Sequence, residues 1–94
     1  MVARTPSNHR KLASSTNQAS RSAVLEKIAA CESGGDPRAV SANGLYRGKY
    51  QFSRETWRGV GGKGDPAKAS EAEQDKLAGI LYDRAGTSPW PSCA

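Results

Sequence analysis

The most informative stretch of the chain is Ile28-Ala29-Ala30-Cys31-Glu32-Ser33-Gly34-Gly35, in which an apolar helical pattern stops at paired glycines. Counted back with helical spacing, Glu32 shares a face with Leu25 and Ile28, at i−7 and i−4. A carboxylate on the apolar face of a helix is costly, because desolvation disfavours its charged form and raises its pKa. A carboxylic acid that stays protonated beside a cleft is what cleavage of a glycosidic bond requires. The alternative is a carboxylate at a helix end that turns into water.

Length and charge limit the possible functions. The chain has 94 residues, enough for one domain with a small core. The net charge is +5, and residues 1–22 contribute most of it, since they hold four basic and no acidic residues. Residues 23–94 hold ten basic and nine acidic residues, which argues against a dedicated nucleic-acid-binding domain. The basic N-terminal segment could bind anionic polymers of a bacterial wall, or it could be a soluble arm that binds nothing.

The chain divides into a tail and one domain. Residues 1–21 are rich in Ser, Asn, Thr, Arg and Ala without periodic apolar positions, so we expect a flexible basic tail. Residues 22–94 form the predicted domain. No apolar run is long enough to cross a membrane, and the N-terminus lacks the apolar region of a secretory signal. If the protein works outside the cell, we expect its export signal to have been removed or to lie elsewhere.

Start and stop signals predict a mainly helical α+β fold with three helices. Residues 41–52 lie between the first two helices and predict a short irregular β-hairpin or a loop, with a turn at Asn43-Gly44. In this segment Gly48 indicates a close backbone approach or a positive φ. Trp57 and Trp90 are expected in the core. The helices are expected to begin or end, in chain order, at Ser22, Gly34-Gly35, Ser53, Ser70 with Glu73, and Gly86.

The two cysteines, Cys31 and Cys93, suggest a disulfide, because an even count in a small domain is typical of an oxidising compartment. Such a bridge would hold the C-terminus against the helix that carries Glu32. In the chain-entropy model it would stabilise the fold by about 4 kcal/mol. The alternative is two free thiols. We expect no metal site, because two cysteines and the distant His9 lack ligand spacing.

Other catalytic systems fit the sequence poorly. No Ser-His-Asp or Cys-His set can be assembled from the predicted domain, because His9 lies in the predicted tail. Paired-carboxylate glycosidases place a second carboxylate across the scissile bond. Three further carboxylates are available, but nothing in the sequence marks any of them as a nucleophile: Asp36, Glu55 and Asp65.

The stretch Ile28-Ala29-x-Cys31-Glu32-Ser33-Gly34-Gly35 is very similar to the opening motif of resuscitation-promoting-factor domains, which are small lysozyme-like muralytic domains. The match extends over about residues 24–93. The ordered set also resembles the wider lytic transglycosylase superfamily, in which a helix-ending Glu-Ser is followed by Gly-x-x-Gln, here Gly48-Lys49-Tyr50-Gln51. The other matching residues are Asn43-Gly44, Tyr46, Phe52, Thr56-Trp57, Gly61-Gly62, Gly64-Asp65-Pro66, Ala69-Ser70, Glu73-Gln74 and Trp90-Pro91-x-Cys93.

This resemblance implies a reduced lysozyme-like core with a glycan-binding cleft. It implies that Glu32 is the catalytic acid and that Gln51, Thr56 and Tyr46 contact the sugar chain. Judged from the residues alone, Gln51 could instead satisfy backbone groups, and Thr56 could cap its helix. The family has a tryptophan where this chain has Leu25, and a glutamine where it has Ala85.

The implied activity is cleavage of the β-1,4 bond between N-acetylmuramic acid and N-acetylglucosamine in peptidoglycan glycan strands. A single-acid mechanism without a cofactor is expected, in which Glu32 protonates the glycosidic oxygen and then acts as a base. The product would be a 1,6-anhydro sugar for a transglycosylase or a reducing end for a hydrolase. We expect a monomer in the extracellular space or cell wall. The alternative function is a non-catalytic wall-glycan-binding or structural module.

Overall fold

The computed structural model describes the backbone of residues 10–93 and the side chains of residues 20–93. This part of the chain contains three α-helices and one 3₁₀ turn. The N-terminal ends of the second and third helices are capped by the predicted side chains. Ser53 accepts a hydrogen bond from the Thr56 amide, and Ser70 accepts one from the Glu73 amide. In chain order the elements are α1 (Arg10–Ser33), α2 (Arg54–Gly59), the 3₁₀ turn Pro66–Lys68 and α3 (Glu71–Ala85).

The predicted start of the first helix at Ser22 is wrong. Helix α1 begins at Arg10, and Ser22 lies inside it. The residues between them include good helix formers and contain neither glycine nor proline, so nothing forces the backbone out of the helix before Ser22. Residues 1–9 lie outside the described residues. The division of the chain into a tail and a domain stays a prediction.

The C-terminal end of α1 is confirmed at Gly34-Gly35. The Gly34 amide donates to the Ala30 carbonyl at 2.9 Å, and the Gly35 amide donates to the Ala29 carbonyl at 3.1 Å. Both glycines have a positive φ, +68° and +80°, which costs little without a Cβ. This closure reverses the chain immediately after Glu32 and Ser33.

The core forms where the apolar face of α1 meets α3 and a group of aromatic residues. Trp57 and Trp90 are confirmed as core residues, since they are 1% and 3% exposed. The Trp57 ring packs edge-on against Phe52, with 4.9 Å between the ring centroids. Trp90 also donates its indole N–H to the Tyr50 carbonyl at 3.1 Å. The buried cluster consists of Leu25, Ile28, Ala29, Tyr50, Phe52, Trp57, Val60, Leu77, Ala78 and Trp90.

The expected hairpin between α1 and α2 is not confirmed as regular strands. Within the described residues this segment contains only isolated antiparallel bridges, in which Arg47 pairs with both Val40 and Phe52. Positive φ angles at Gly48 (+89°) and Gln51 (+55°) interrupt the extended backbone. Both expectations for Gly48 are confirmed, because a Cβ there would also overlap the Gln74 side chain. The segment is therefore a loop held by specific contacts.

The disulfide between Cys31 and Cys93 is present, with 5.6 Å between the two Cα atoms, so the free-thiol alternative is wrong. The bridge joins the last turn of α1 to the segment that follows α3. Together with the buried Trp90, it holds this segment, which has no helix of its own within the described residues.

Gly62 provides a test of the aromatic core. A Cβ at Gly62 would lie inside the van der Waals envelope of the Trp57 ring, whereas a Cβ at Gly59 would meet nothing within 4 Å. We expect Gly62→Ala to lower the free energy of unfolding by about 2 kcal/mol, because the packed indole must move. The matched control Gly59→Ala should change it by less than about 0.5 kcal/mol. Urea unfolding measures both, and equal effects of the two variants would contradict this packing.

Arg47 anchors the loop to the 3₁₀ turn. Its guanidinium donates to both carboxylate oxygens of Asp65, at 2.7 and 2.9 Å. Asp65 also caps the turn, since it accepts from the Ala67 amide at 2.9 Å. The hydrogen bonds from Arg47 are the main reason why the pKa of Asp65 is lowered from 3.8 to about 2.

This ion pair should make stability depend on pH in the acid range. A carboxyl with a depressed folded-state pKa contributes stability that is present above its ordinary value of 3.8 and is lost as the pH falls through about 2. Asp65→Asn keeps the capping acceptor but removes the charge. We expect it to be less stable than the unmodified protein at pH 6, with a difference that shrinks towards pH 2. Thermal unfolding across this range, with Arg47→Met as the matched partner variant, measures the effect, and a difference independent of pH would contradict it.

Candidate active site

Glu32 lies on the last turn of α1 and is partly buried. Desolvation raises the pKa of its carboxyl above the ordinary value of 4.5. Among residues 20–93, no basic side chain forms an ion pair with it that would keep it ionised. The pKa of the Glu32 carboxyl is thus shifted upward, in the direction that the helical spacing predicts.

Ser33 connects the end of α1 to the loop. Its hydroxyl donates to the Lys49 carbonyl at 2.6 Å, and it accepts from the Asp36 amide at 3.1 Å. Through these bonds the turn that follows Glu32 lies against the Gly48–Gln51 segment. Ser33 is therefore a structural residue of the turn.

Gln51 adopts the left-handed conformation that non-glycine residues rarely take. Its side-chain amide donates to the Gly48 carbonyl at 3.0 Å and to the Ala39 carbonyl at 3.4 Å. The alternative interpretation, that Gln51 satisfies backbone groups, is confirmed. Contact with a sugar chain stays a prediction for this residue.

Thr56 lies in α2, and Tyr46 lies in the loop between the bridged residues Val40 and Arg47. The Thr56 hydroxyl accepts from the Ser53 hydroxyl at 2.9 Å, so Thr56 takes part in the cap of α2, as the alternative interpretation expects. Tyr46 is 47% exposed and is free to meet a ligand. The sugar contacts of both residues stay predictions.

The expected cleft that holds these residues together is not confirmed. The structure contains a groove of about 450 Å³, but none of the four predicted site residues lines it. It runs along α1 beside the disulfide, with an apolar floor. Its lining residues are Val24, Lys27, Ile28, Cys31, Thr87 and Cys93.

Two of the other carboxylates are engaged elsewhere. Asp36 accepts from the Arg38 amide at 2.8 Å, which closes the turn after α1. Asp65 is paired with Arg47.

Within residues 20–93, no cluster of three His, Cys, Asp or Glu residues could hold a metal ion. None of the described helices is long and apolar enough to cross a membrane.

A polar cluster around the buried Lys49 ammonium was not predicted from the sequence. Lys49 is 5% exposed, and its ammonium lies 2.8 Å from Asp75 and 2.9 Å from Glu71. Burial lowers the pKa of Lys49, but the hydrogen bonds to the two carboxylates outweigh it, so the net shift is upward. Gln74, which lies between these two acids in the sequence of α3, is fully buried. The one local signal is the i, i+4 spacing of Glu71 and Asp75, which places two acids on one face of α3.

Comparison with known proteins identifies the family to which this chain belongs. Residues 19–93, most of the chain, match the model of the transglycosylase-like domain. The chain therefore belongs to the transglycosylase-like domain family, and this membership implies a lysozyme-like fold.

Individual relatives agree with this membership. The chain is 43% identical over 77 residues to resuscitation-promoting factor Rpf of Micrococcus luteus, covering 82% of this chain and 34% of that protein. It is 44% identical over 69 residues to resuscitation-promoting factor RpfD of Mycobacterium tuberculosis, covering 73% of this chain and 44% of that protein. It is 47% identical over 70 residues to the probable transglycosylase SceD of Staphylococcus carnosus, covering 70% and 30% respectively. The chain thus spans less than half the length of these curated relatives, and its resemblance to resuscitation-promoting-factor domains is confirmed.

Proposed function

We propose that this chain is a peptidoglycan-cleaving domain in which Glu32 acts as the general acid and base. The bond cleaved is the β-1,4 bond between N-acetylmuramic acid and N-acetylglucosamine. Membership in the transglycosylase-like family supports the reaction class. The single observation that supports Glu32 is its raised pKa at the partly buried end of α1, without an ion-pair partner among the described side chains.

The reaction needs one proton carrier. Protonated Glu32 donates its proton to the glycosidic oxygen while the bond from that oxygen to the muramic C1 breaks. The carboxylate then accepts a proton from the muramic 6-hydroxyl, whose oxygen closes on C1 to give a 1,6-anhydro sugar. Water in place of that hydroxyl gives a reducing end. Asp36 and Asp65 are engaged in other hydrogen bonds, which favours this mechanism over a carboxylate pair.

Substrate contacts are proposed from the resemblance to the family. Gln51, Thr56 and Tyr46 are proposed to contact the glycan, with Tyr46 offering an exposed ring on which a sugar can stack. The carbonyl dipole of the Gln51 amide could meet the oxocarbenium-like charge, since the amide N–H groups already face backbone carbonyls.

We also propose that the domain works at the cell wall outside the cytoplasm. The disulfide supports this, because such bonds persist in oxidising compartments. The basic residues near the N-terminus could add contacts to anionic wall polymers.

The test is mass analysis of the material that the protein releases from purified peptidoglycan. Disaccharide fragments with 1,6-anhydro ends would identify a transglycosylase. Fragments heavier by one water would identify a hydrolase. Binding to the wall without any release would contradict the proposal and favour the non-catalytic glycan-binding module.

A further inference from the structure

Lys49 is held by α3 through both its side chain and its backbone. The ammonium contacts Asp75 and Glu71, and Glu26 of α1 lies 3.9 Å away. The Lys49 amide donates to the Gln74 side-chain carbonyl at 2.7 Å. Three residues of α3 therefore fix the position of Lys49: Glu71, Gln74 and Asp75.

The same loop residue holds the end of α1. The Lys49 carbonyl accepts the 2.6 Å hydrogen bond from Ser33, the residue that follows Glu32. Gln74 reinforces the link, because its amide donates at 3.0 Å to the Pro37 carbonyl, just beyond the turn. A continuous set of bonds thus runs from α3 through Lys49 to the turn at Glu32.

This link matters because the Glu32 carboxyl has no ion-pair partner of its own among the described side chains. The backbone of the last turn of α1 sets the direction of the Glu32 side chain. The hydrogen bond between Ser33 and Lys49 holds that backbone just after Glu32. A misplacement of about 1 Å can cost about 100-fold in rate, so such a support has catalytic consequences.

We propose that Lys49 is a positioning residue for Glu32, an inference that rests on the proposed function. Its ammonium, clamped by Glu71 and Asp75, holds the Lys49 carbonyl where Ser33 can bind it and so fixes the turn that carries the general acid. A buried cation is an expensive way to fill space, and an apolar side chain of similar volume is often as stable in such a place. In this proposal, the charge of Lys49 serves to specify the position of the loop.

Lys49→Met tests this directly, because it keeps most of the volume and removes the charge. The two carboxylates left behind have side chains that are 55% and 44% exposed, so water can solvate them and the protein should still fold. With soluble glycan strands as substrate, we expect kcat to fall by about 10-fold to 100-fold. KM should change by less than about twofold, because ground-state binding is retained.

Arg21→Met is the matched control, since it breaks a bidentate ion pair between α1 and Asp83 of α3 without touching the loop. It should leave kcat unchanged.

A double-mutant cycle with Ser33→Ala separates positioning from general loss of stability. Ser33→Ala removes the other end of the same link, so the double variant should lose no more kcat than the more affected single variant. Independent, multiplying losses would overturn the proposal, as would an unchanged kcat for Lys49→Met or an equal loss for Arg21→Met.

A second readout does not require catalysis. The Asp36 amide donates to the Ser33 hydroxyl, so its hydrogen exchange should accelerate by about tenfold in Lys49→Met, while amides of α2 keep their rates. Unchanged exchange at Asp36 would overturn the positioning role. If Glu32→Gln proves fully active, the proposed function fails, and this exchange measurement still decides whether Lys49 holds the turn.

Discussion

Glu32→Gln is expected to abolish release of glycan fragments from peptidoglycan, with a loss in kcat of about 100-fold to 10,000-fold. The amide keeps the size of the side chain and can still form hydrogen bonds, but its N–H groups are not acidic enough to transfer a proton to the glycosidic oxygen. Glu55→Gln, a change at an exposed carboxylate on α2, is the matched control and should retain full activity. Muropeptide release by the three proteins under one set of conditions measures the effect.

The loss should not come from unfolding. Because burial raises the folded-state pKa of Glu32, its stabilising contribution is present below the unfolded-state value and is lost as the pH rises through the folded-state value. Ionisation of this partly buried carboxyl costs stability, and glutamine, which does not ionise, avoids that cost. We expect Glu32→Gln to unfold at the same temperature as the unmodified protein or higher. An active variant, or an inactive one that is unfolded, would remove the support for Glu32 as the general acid.

Removal of the disulfide is expected to have the largest effect on stability. Cys31 and Cys93 are separated by 62 positions, so the bridge closes most of the described chain into one loop. Cys93→Ser should lower the free energy of unfolding by about 4 kcal/mol, a large share of what a small domain has. The loosened C-terminal segment should also release Trp90 from the core, which its fluorescence reports.

Urea unfolding with and without a reducing agent provides the measurement and its control. The reductant should shift the unmodified protein to the midpoint of Cys93→Ser and should leave Cys93→Ser itself unchanged. Cys31→Ser should behave like Cys93→Ser. A midpoint that the reductant does not move would contradict a stabilising bridge.

Local features of this fold could be predicted from the sequence. The caps at Ser53 and Ser70 and the stop at Gly34-Gly35 follow from hydrogen bonds between residues a few positions apart, which the residue types largely determine. The raised pKa of Glu32 could be predicted too, because helical spacing alone places it beside buried Leu25 and Ile28.

The disulfide and the buried tryptophans could be predicted, but other features that depend on distant contacts could not. The clamp on Lys49 joins residues from the loop and α3 that local patterns do not connect. Regular hairpin strands are not confirmed, because positive φ angles at Gly48 and Gln51 interrupt the extended backbone and the Arg47 side chain turns to Asp65. Ser22 does not cap α1, because a serine caps a helix only where the residues before it are not helical, and here α1 already begins at Arg10.

The proton on Glu32 can be observed directly by an NMR titration of its side-chain carboxyl carbon in the folded protein. The account predicts a midpoint above the ordinary value of 4.5 that coincides with the pH at which kcat/KM falls on the alkaline side. A midpoint at or below 4.5, or one unrelated to the pH dependence of glycan cleavage, would contradict Glu32 as the proton donor.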